Sequence, residues 1–361
     1  MKLNEEIVKS PVTLFLGAGA SVPLGKPSME DFVTNLERLI PSYSEYRNLF
    51  SQISHFRGKD LEAILSDLEN LLNLHYIDSF NCRLKAIPEA NDRDEDVFLE
   101  ISNAAASELR SFIRHQIIKE YRELDSEKVV RVYEPLFESI FSLLGQHKLV
   151  LPVFTTNYDL AIETFCKEKF LEYYLINGLE PDGFENEYVW NPLMIEPLNQ
   201  GYGKKRQIVL FKLHGSIDWI RSKTNNRIVK AQPMYDLLDS DVFQNVLIYP
   251  AGDKMAVDEP FLTNYRYFSR CCEHTKLLIV IGYSFRDYGT VSALINAFEL
   301  NDDFFMILIS PNANTILESI QHEDKMIFTT PIFTRFGDAE DEKEYLNEIR
   351  FWINSRLHKD K

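Results

Sequence analysis

The chain has 361 residues, 45% of them hydrophobic and 26% charged, which is ordinary globular usage and excludes a disordered or low-complexity polymer. At about 150 residues per domain, this length suits two domains or one large α/β domain. Acidic side chains outnumber basic ones by 55 to 39, and the longest basic run is Lys204-Lys205-Arg206, so autonomous nucleic-acid binding and attachment to an anionic membrane surface are disfavoured.

The first predicted strand is Val12–Leu16, apolar on both faces and closed by Gly17. Phe32, Val33, Leu36, Leu39 and Ile40 then recur at helical spacing. From Pro41 to Lys148 the periodicity is helical and no strand is indicated. One helix carries Leu61, Ile64, Leu65, Leu68, Leu71 and Leu72; another stretch carries Val97, Ile101, Ala104, Phe112, Ile113, Ile117 and Tyr121; a third runs from Val130 to Leu144. The acidic stretch Glu89–Glu100 reads as a loop leading into a helix. Strands and helices then alternate, with strands at Leu149–Thr155, Ile208–Leu213, Val246–Pro250, Leu277–Ile281 and Phe304–Ser310, and a weaker one at Ile327–Thr330. Tyr173–Lys205, rich in Gly, Pro, Asn and aromatics, reads as a long ordered excursion, and Tyr345, Leu346, Ile349, Trp352 and Ile353 mark a C-terminal helix. This order predicts an α/β fold: a Rossmann-like doubly wound parallel sheet formed by residues 1–40 and 149–361, with a large α-helical insertion over 41–148 after the first βα unit.

Cys82, Cys166, Cys271 and Cys272 form no CxxC pair, so neither a zinc ribbon nor a thioredoxin-type motif is available, and reduced, buried thiols are expected. No secretory signal is visible and no stretch approaches the ~20 apolar residues of a membrane span. The expected location is cytoplasmic.

Chemistry-bearing residues gather where predicted strands end, which is where open α/β sheets bind ligands. The first strand runs into Gly17-Ala18-Gly19-Ala20-Ser21, a turn that lets a backbone approach a pyrophosphate. The third glycine of the dehydrogenase fingerprint would fall at Val22, so that fingerprint is incomplete. Gly25-Lys26 is no phosphate loop, because Ala20 stands where its first glycine belongs and Pro27 follows the lysine. Later strands end in Thr155-Thr156-Asn157-Tyr158-Asp159, His214-Gly215-Ser216, Gly282-Tyr283-Ser284-Phe285-Arg286-Asp287 and Ser310-Pro311-Asn312. Taken singly, Asn157 reads as a helix cap, Asp159 as a first-turn acid and His214 as a structural histidine. Their joint position at strand ends points to one crevice.

This ordered set resembles the sirtuin superfamily, specifically the bacterial sirtuin-like domains of antiviral defence. The resemblance implies an NAD+ site and covers most of the chain outside the helical insertion. Gly17, Ala18, Gly19 and Ser21 would cradle the diphosphate, with Ala20 in the same cofactor-binding turn. Asn157 and Asp159 would face the nicotinamide ribose and amide, and His214 would be the general base. Ser284 would contact phosphate and Asn312 the adenosine ribose, with Pro27, Thr155, Thr156, Gly282 and Phe285 completing the set. Two departures weaken an acyl-lysine reading. The chain cannot build the four-cysteine zinc module of protein deacylases, and Gly25-Lys26-Pro27-Ser28-Met29-Glu30-Asp31-Phe32 replaces their first-loop sequence. Thr156 also stands where the family has Gln before the catalytic Asn.

The expected activity is therefore NAD+ hydrolysis to nicotinamide and ADP-ribose, without zinc or another metal, as an effector that depletes NAD+ during phage infection. Asn157 suits positioning of water or ribose because its amide donates and accepts without titrating. A histidine suits proton removal near neutrality. The alternatives are an NAD-dependent protein deacylase and a non-catalytic NAD- or ADP-ribose-binding subunit. By analogy with the family, the expected partners are further copies of the chain and a separate protein such as a HerA-type ATPase or an Argonaute-like protein.

Overall fold

The computed structural model describes residues 3–44, 46–77, 82–85, 98–101, 103–145, 149–182, 188–198, 205–230, 243–247, 258–320 and 329–357. The elements begin with α1 (Glu5–Val8), β1 (Val12–Leu16), a 3-10 helix over Ala18–Leu24, α2 (Met29–Leu39), α3 (Tyr46–Arg57) and α4 (Leu61–Ile77). Next come β2 (Cys82–Lys85), β3 (Phe98–Ile101), α5 (Asn103–Arg122), α6 (Ser126–Leu144), β4 (Val150–Thr155), α7 (Ala161–Glu168), β5 (Tyr173–Ile176), β6 (Leu179–Pro181) and β7 (Tyr188–Trp190). The chain continues through β8 (Arg206–Lys212), β9 (Gly215–Ser222), β10 (Ile228–Lys230), β11 (Phe243–Leu247), α8 (Phe261–His274) and β12 (Leu277–Ile281). It ends with α9 (Tyr288–Leu300), β13 (Phe305–Ile309), α10 (Ala313–Ile320), β14 (Thr329–Ile332) and α11 (Glu342–Leu357).

Two compact units result: one from residues 1–26, 120–248 and 255–361, the other chiefly from residues 27–119. The first unit is built on a seven-stranded sheet of order β14-β13-β12-β1-β4-β8-β5, and every neighbouring pair in it is parallel. The chain winds from β1 toward β4 and later returns to the other side of β1 as β12. The β1/β12 boundary is thus a topological switch point, the place where such sheets open a crevice at their carboxyl edge.

Central strands are apolar on both faces because both faces are covered. Alternate residues divide between two cores: Leu14, Leu16, Leu151, Val153, Ile279 and Ile281 face α6, α7 and α11. Phe15, Val150, Phe154, Phe211, Leu278 and Val280 face α8, α9 and the second sheet. Phe15 pairs in register with Phe154, and Phe154 with Phe211. Phe154 and Phe211 stack at 4.8 Å, which braces the strands one residue short of the carboxyl edge.

The expectation of a doubly wound parallel α/β fold holds, with local differences. The first glycine turn opens a 3-10 helix, not an α-helix; Pro23 lies inside it and Gly25 closes it at φ 87°. Pro23 offers no amide to an α-helical ladder. Of the expected parallel strand at Val246–Pro250, Val246 and Leu247 belong instead to the antiparallel β11, paired with β9; residues 248–250 lie outside the described residues. The excursion at Tyr173–Lys205 contains β5, an edge of the main sheet, and β6 and β7, which join a second sheet of order β11-β9-β10-β7-β6. The helical periodicity expected to include Val97 and Ile101 does not hold at Ile101, because Phe98–Ile101 pairs antiparallel with β2; Val97 and the acidic stretch before it lie outside the described residues. The helix α6, placed by sequence in the insertion, falls within the sheet unit.

In the second unit, Ser28 caps α2 by accepting the Asp31 amide at 3.2 Å. The predicted stripe on α4 is buried at Leu61, Ile64, Leu65, Leu68 and Leu71. Glu69 of α4 faces Arg110 and Arg114 of α5 at 3.3 and 3.2 Å.

Candidate active site

The last paired row of the central strands is Ile281–Leu16–Thr155–Lys212. The motif residues Gly17, Asn157, His214 and Gly282 stand one or two positions beyond that row, so the register itself gathers them at the carboxyl edge.

The glycine turn is locked from two sides. Gly17 donates its amide to Ile281 O at 2.9 Å and Gly19 to Gly282 O at 2.8 Å. A Cβ on Gly282, which sits at φ +62°, would lie 2.5 Å from the Gly19 backbone, so only glycines permit this contact. Tyr133 of α6 donates to Ala20 O at 3.2 Å; burial, together with the nearby Asp159 charge, pushes its phenol well up. Lys26 is spent on the end of α5, donating to the carbonyls of Glu120 and Glu123 at 2.5 and 2.6 Å.

Asn157, Ser21 and Asp159 form one hydrogen-bonded cluster. Asn157 Nδ2 donates to Gly17 O and to Ser21 Oγ, both at 2.9 Å. Ser21 donates to Asp159 Oδ2 at 2.5 Å, and Asp159 Oδ1 accepts the Ala161 amide at 2.9 Å. Gly17 O can only accept, so the Asn157 amide must present its NH2 there, which fixes its orientation. Both Nδ2 hydrogens are then occupied, while Oδ1 takes no hydrogen bond from any described residue. Thr155 Oγ1 donates to Leu16 O at 3.0 Å and accepts the Asn157 amide at 3.0 Å, clamping the backbone that carries Asn157.

His214 follows β8 and is 3% exposed. Its Nε2 lies 3.1 Å from Asp287 Oδ2. The same oxygen accepts Tyr265 at 2.7 Å and Thr290 at 2.9 Å, and Oδ1 accepts the Gly289 amide at 2.9 Å. Burial opposes ionisation of Asp287, but hydrogen bonds and charge from His214, with the hydroxyls of Tyr265 and Thr290, win and hold the carboxyl well below the ordinary range.

Between these groups lies Lys212, 1% exposed. Its Nζ donates to Asp159 O, to Tyr158 O at 3.3 Å and to Ser216 Oγ at 2.9 Å, and pairs with Glu163 at 3.2 Å. Ser216 in turn donates to Asp218 at 2.6 Å. Gly215 makes the tight exit from His214 possible, since at φ +90° a Cβ would lie 2.0 Å from Val246 O.

Other motif residues stand further out. Ser284 and Asn312 are exposed, Thr156 and Ala18 half-buried. Phe285 is buried at φ 57° and packs on Tyr283 at 4.9 Å. Pro27 falls in the helical unit. Lys212, Glu163, Tyr265 and Thr290 are site residues to which no motif in the sequence points, and Asp287 ends a motif that implies no role for it. Lys212 carried a signal, a charge inside the apolar run Ile208–Leu213; Tyr265 carried none.

Among the described residues, no group of three or more His, Cys, Asp and Glu could hold a metal ion. Cys166, Cys271 and Cys272 are free and buried, and burial pushes each thiol up. Among the described residues no helix is long and apolar enough to cross a membrane.

Fold and site together define a Rossmann-type α/β protein with a glycine turn and a polar cluster at its switch point. Residues 152–327 match the family model described as SIR2-like domain; that span contains the Asn157, His214 and Gly282 motifs and leaves the Gly17–Ser21 turn outside. Among solved structures, a Sir2 homologue in complex with NAD is similar at 12% identity and TM-score 0.45, over 98% of this chain and 96% of that one. A Sir2 with a p53 peptide and NAD+ is similar at 10% identity and TM-score 0.45, over 97% and 100%. A serine-to-alanine mutant of a Sir2 homologue with ADP-ribose is similar at 11% identity and TM-score 0.44, over 99% and 100%. No curated protein matches the sequence.

Proposed function

We propose that this chain binds NAD+ at the carboxyl edge of the seven-stranded sheet and hydrolyses its nicotinamide–ribose bond. The observation that carries the proposal is Asn157: its NH2 is held by Gly17 O and Ser21 Oγ, leaving Oδ1 as a fixed acceptor for a ribose hydroxyl or a water. The leaving nicotinamide departs neutral from a cationic pyridinium, so the barrier lies at an oxocarbenium-like C1′. Preoriented dipoles at that centre lower it. His214 takes the proton as water adds to C1′, and the overall reaction is NAD+ plus water giving nicotinamide, ADP-ribose and a proton.

The resemblance to defence sirtuins supports a role in NAD+ depletion during infection, in assembly with further copies or a DNA-translocating ATPase. A net charge of −16 assigns any DNA contact to such a partner. The test is product analysis with NAD+, with and without an acylated peptide. The proposal expects nicotinamide and ADP-ribose in equal amounts, independent of peptide. Peptide-dependent O-acyl-ADP-ribose makes the protein a deacylase, and NAD+ bound but intact makes it a binding subunit.

A further inference from the structure

A neutral imidazole has one basic nitrogen, and the partner of the other nitrogen selects which one it is. At His214 the selecting partner is Asp287, 3.1 Å from Nε2. Besides His214, three donors converge on this carboxylate: the hydroxyls of Tyr265 and Thr290, and the Gly289 amide. A carboxylate so placed has no proton to give, so the hydrogen between the two groups belongs to Nε2. Tyr265 does not change this. Burial and the Asp287 charge push its phenol up, and its single proton goes to Asp287 at 2.7 Å. At 3.3 Å from Nε2 it can only accept. Nδ1 takes no hydrogen bond from any described residue.

The geometry points to Asp287 as a positioning residue that fixes His214 in its Nε2–H tautomer and makes Nδ1 the proton-accepting atom of the site. Its catalytic use rests on the hydrolase reading above, whereas the tautomer is a property of the resting protein. In the reaction, Nδ1 takes one proton from water as the C1′–O bond forms and the C1′–nitrogen bond breaks. The imidazolium keeps its Nε2–H on Asp287, Asp287 stays ionised, and the Nδ1 proton leaves to solvent. Asp287 also caps α9 through Gly289. Asparagine caps equally well, so Asp287→Asn retains the fold while offering Nε2 an NH2 that favours the opposite tautomer.

The test is long-range proton–nitrogen NMR of the 15N-histidine-labelled full chain at about pH 8.5, above the ordinary histidine range. The His214 signals are assigned by their loss in His214→Gln. The wild type and Tyr265→Phe are expected to show a protonated Nε2 and a bare Nδ1, and Asp287→Asn to shift the proton toward Nδ1. In parallel, Asp287→Asn is expected to lower kcat for NAD+ by on the order of 10²–10⁴-fold with KM little changed. A wild-type Nδ1–H tautomer, or an unchanged tautomer with full turnover in Asp287→Asn, overturns the inference. If wild type leaves NAD+ intact, the hydrolase reading fails and the NMR result alone decides the tautomer.

Discussion

Replacing Lys212 by methionine removes a cation from the interior while nearly preserving side-chain length. Lys212 is 1% exposed and its Nζ binds two carbonyls of the segment that carries Asn157 and Asp159, besides Glu163 and Ser216. The substitution strands Glu163, whose side chain is 13% exposed. Burial already pushes that carboxyl up, and Lys212 is the main influence holding it down. Breaking a buried pair by deleting one partner costs about 3–5 kcal/mol. With a urea slope of about 3 kcal/mol/M, the unfolding midpoint should fall by about 1–1.7 M. Urea unfolding followed by tryptophan fluorescence measures it. Glu163→Gln in the Lys212→Met background should return part of the loss, because it removes the stranded charge. A midpoint shift under about 0.3 M, equivalent to less than about 1 kcal/mol, would refute the account of Lys212 as the tie holding this loop.

Gly282→Ala should weaken NAD+ binding at least about tenfold, because the new Cβ meets the Gly19 backbone at 2.5 Å and must push the turn away; isothermal titration checks it. Ser21→Ala cuts the link between Asn157 and Asp159 and should lower kcat about tenfold with far-UV circular dichroism unchanged. Asp287 has a folded pKa below its unfolded one. Its stabilisation is therefore present above the ordinary carboxylate pKa of about 3.9 and lost as pH falls below it. Wild type and Asp287→Asn should differ most in thermal midpoint at pH 7, and the gap should narrow steadily as pH falls from about 4 toward about 2, as calorimetry at several pH values would show.

The parts of the fold legible in the sequence are those with a simple pattern. β1 and β12 begin and end where predicted, because strands covered on both faces are largely apolar runs closed by glycine, with Thr13 the one polar residue in the two. The gathering of Gly17, Asn157 and His214 was equally legible, since parallel strands in register must bring their carboxyl ends together. The second sheet was not. β9 interrupts its apolar residues with Ser216, Asp218 and Arg221; Asp218 pairs with Lys230 and accepts from Ser216, and Arg221 donates to Glu259 O. β6, β7 and β10 have three residues each, too few to set a period. Tyr265 reaches His214 across 51 residues of sequence, a contact that packing of α8 creates and no spacing announces. Lys212 interrupts an apolar strand, which local pattern alone treats as a flaw.

The Asn157 cluster is proposed as an NAD+-cleaving site. That proposal is tested most directly by nicotinamide release from NAD+, compared between wild type and an Asn157→Ala variant of equal thermal stability. Steady release by wild type and a loss of at least about 100-fold in the variant are expected. Equal release by both proteins would contradict the proposal.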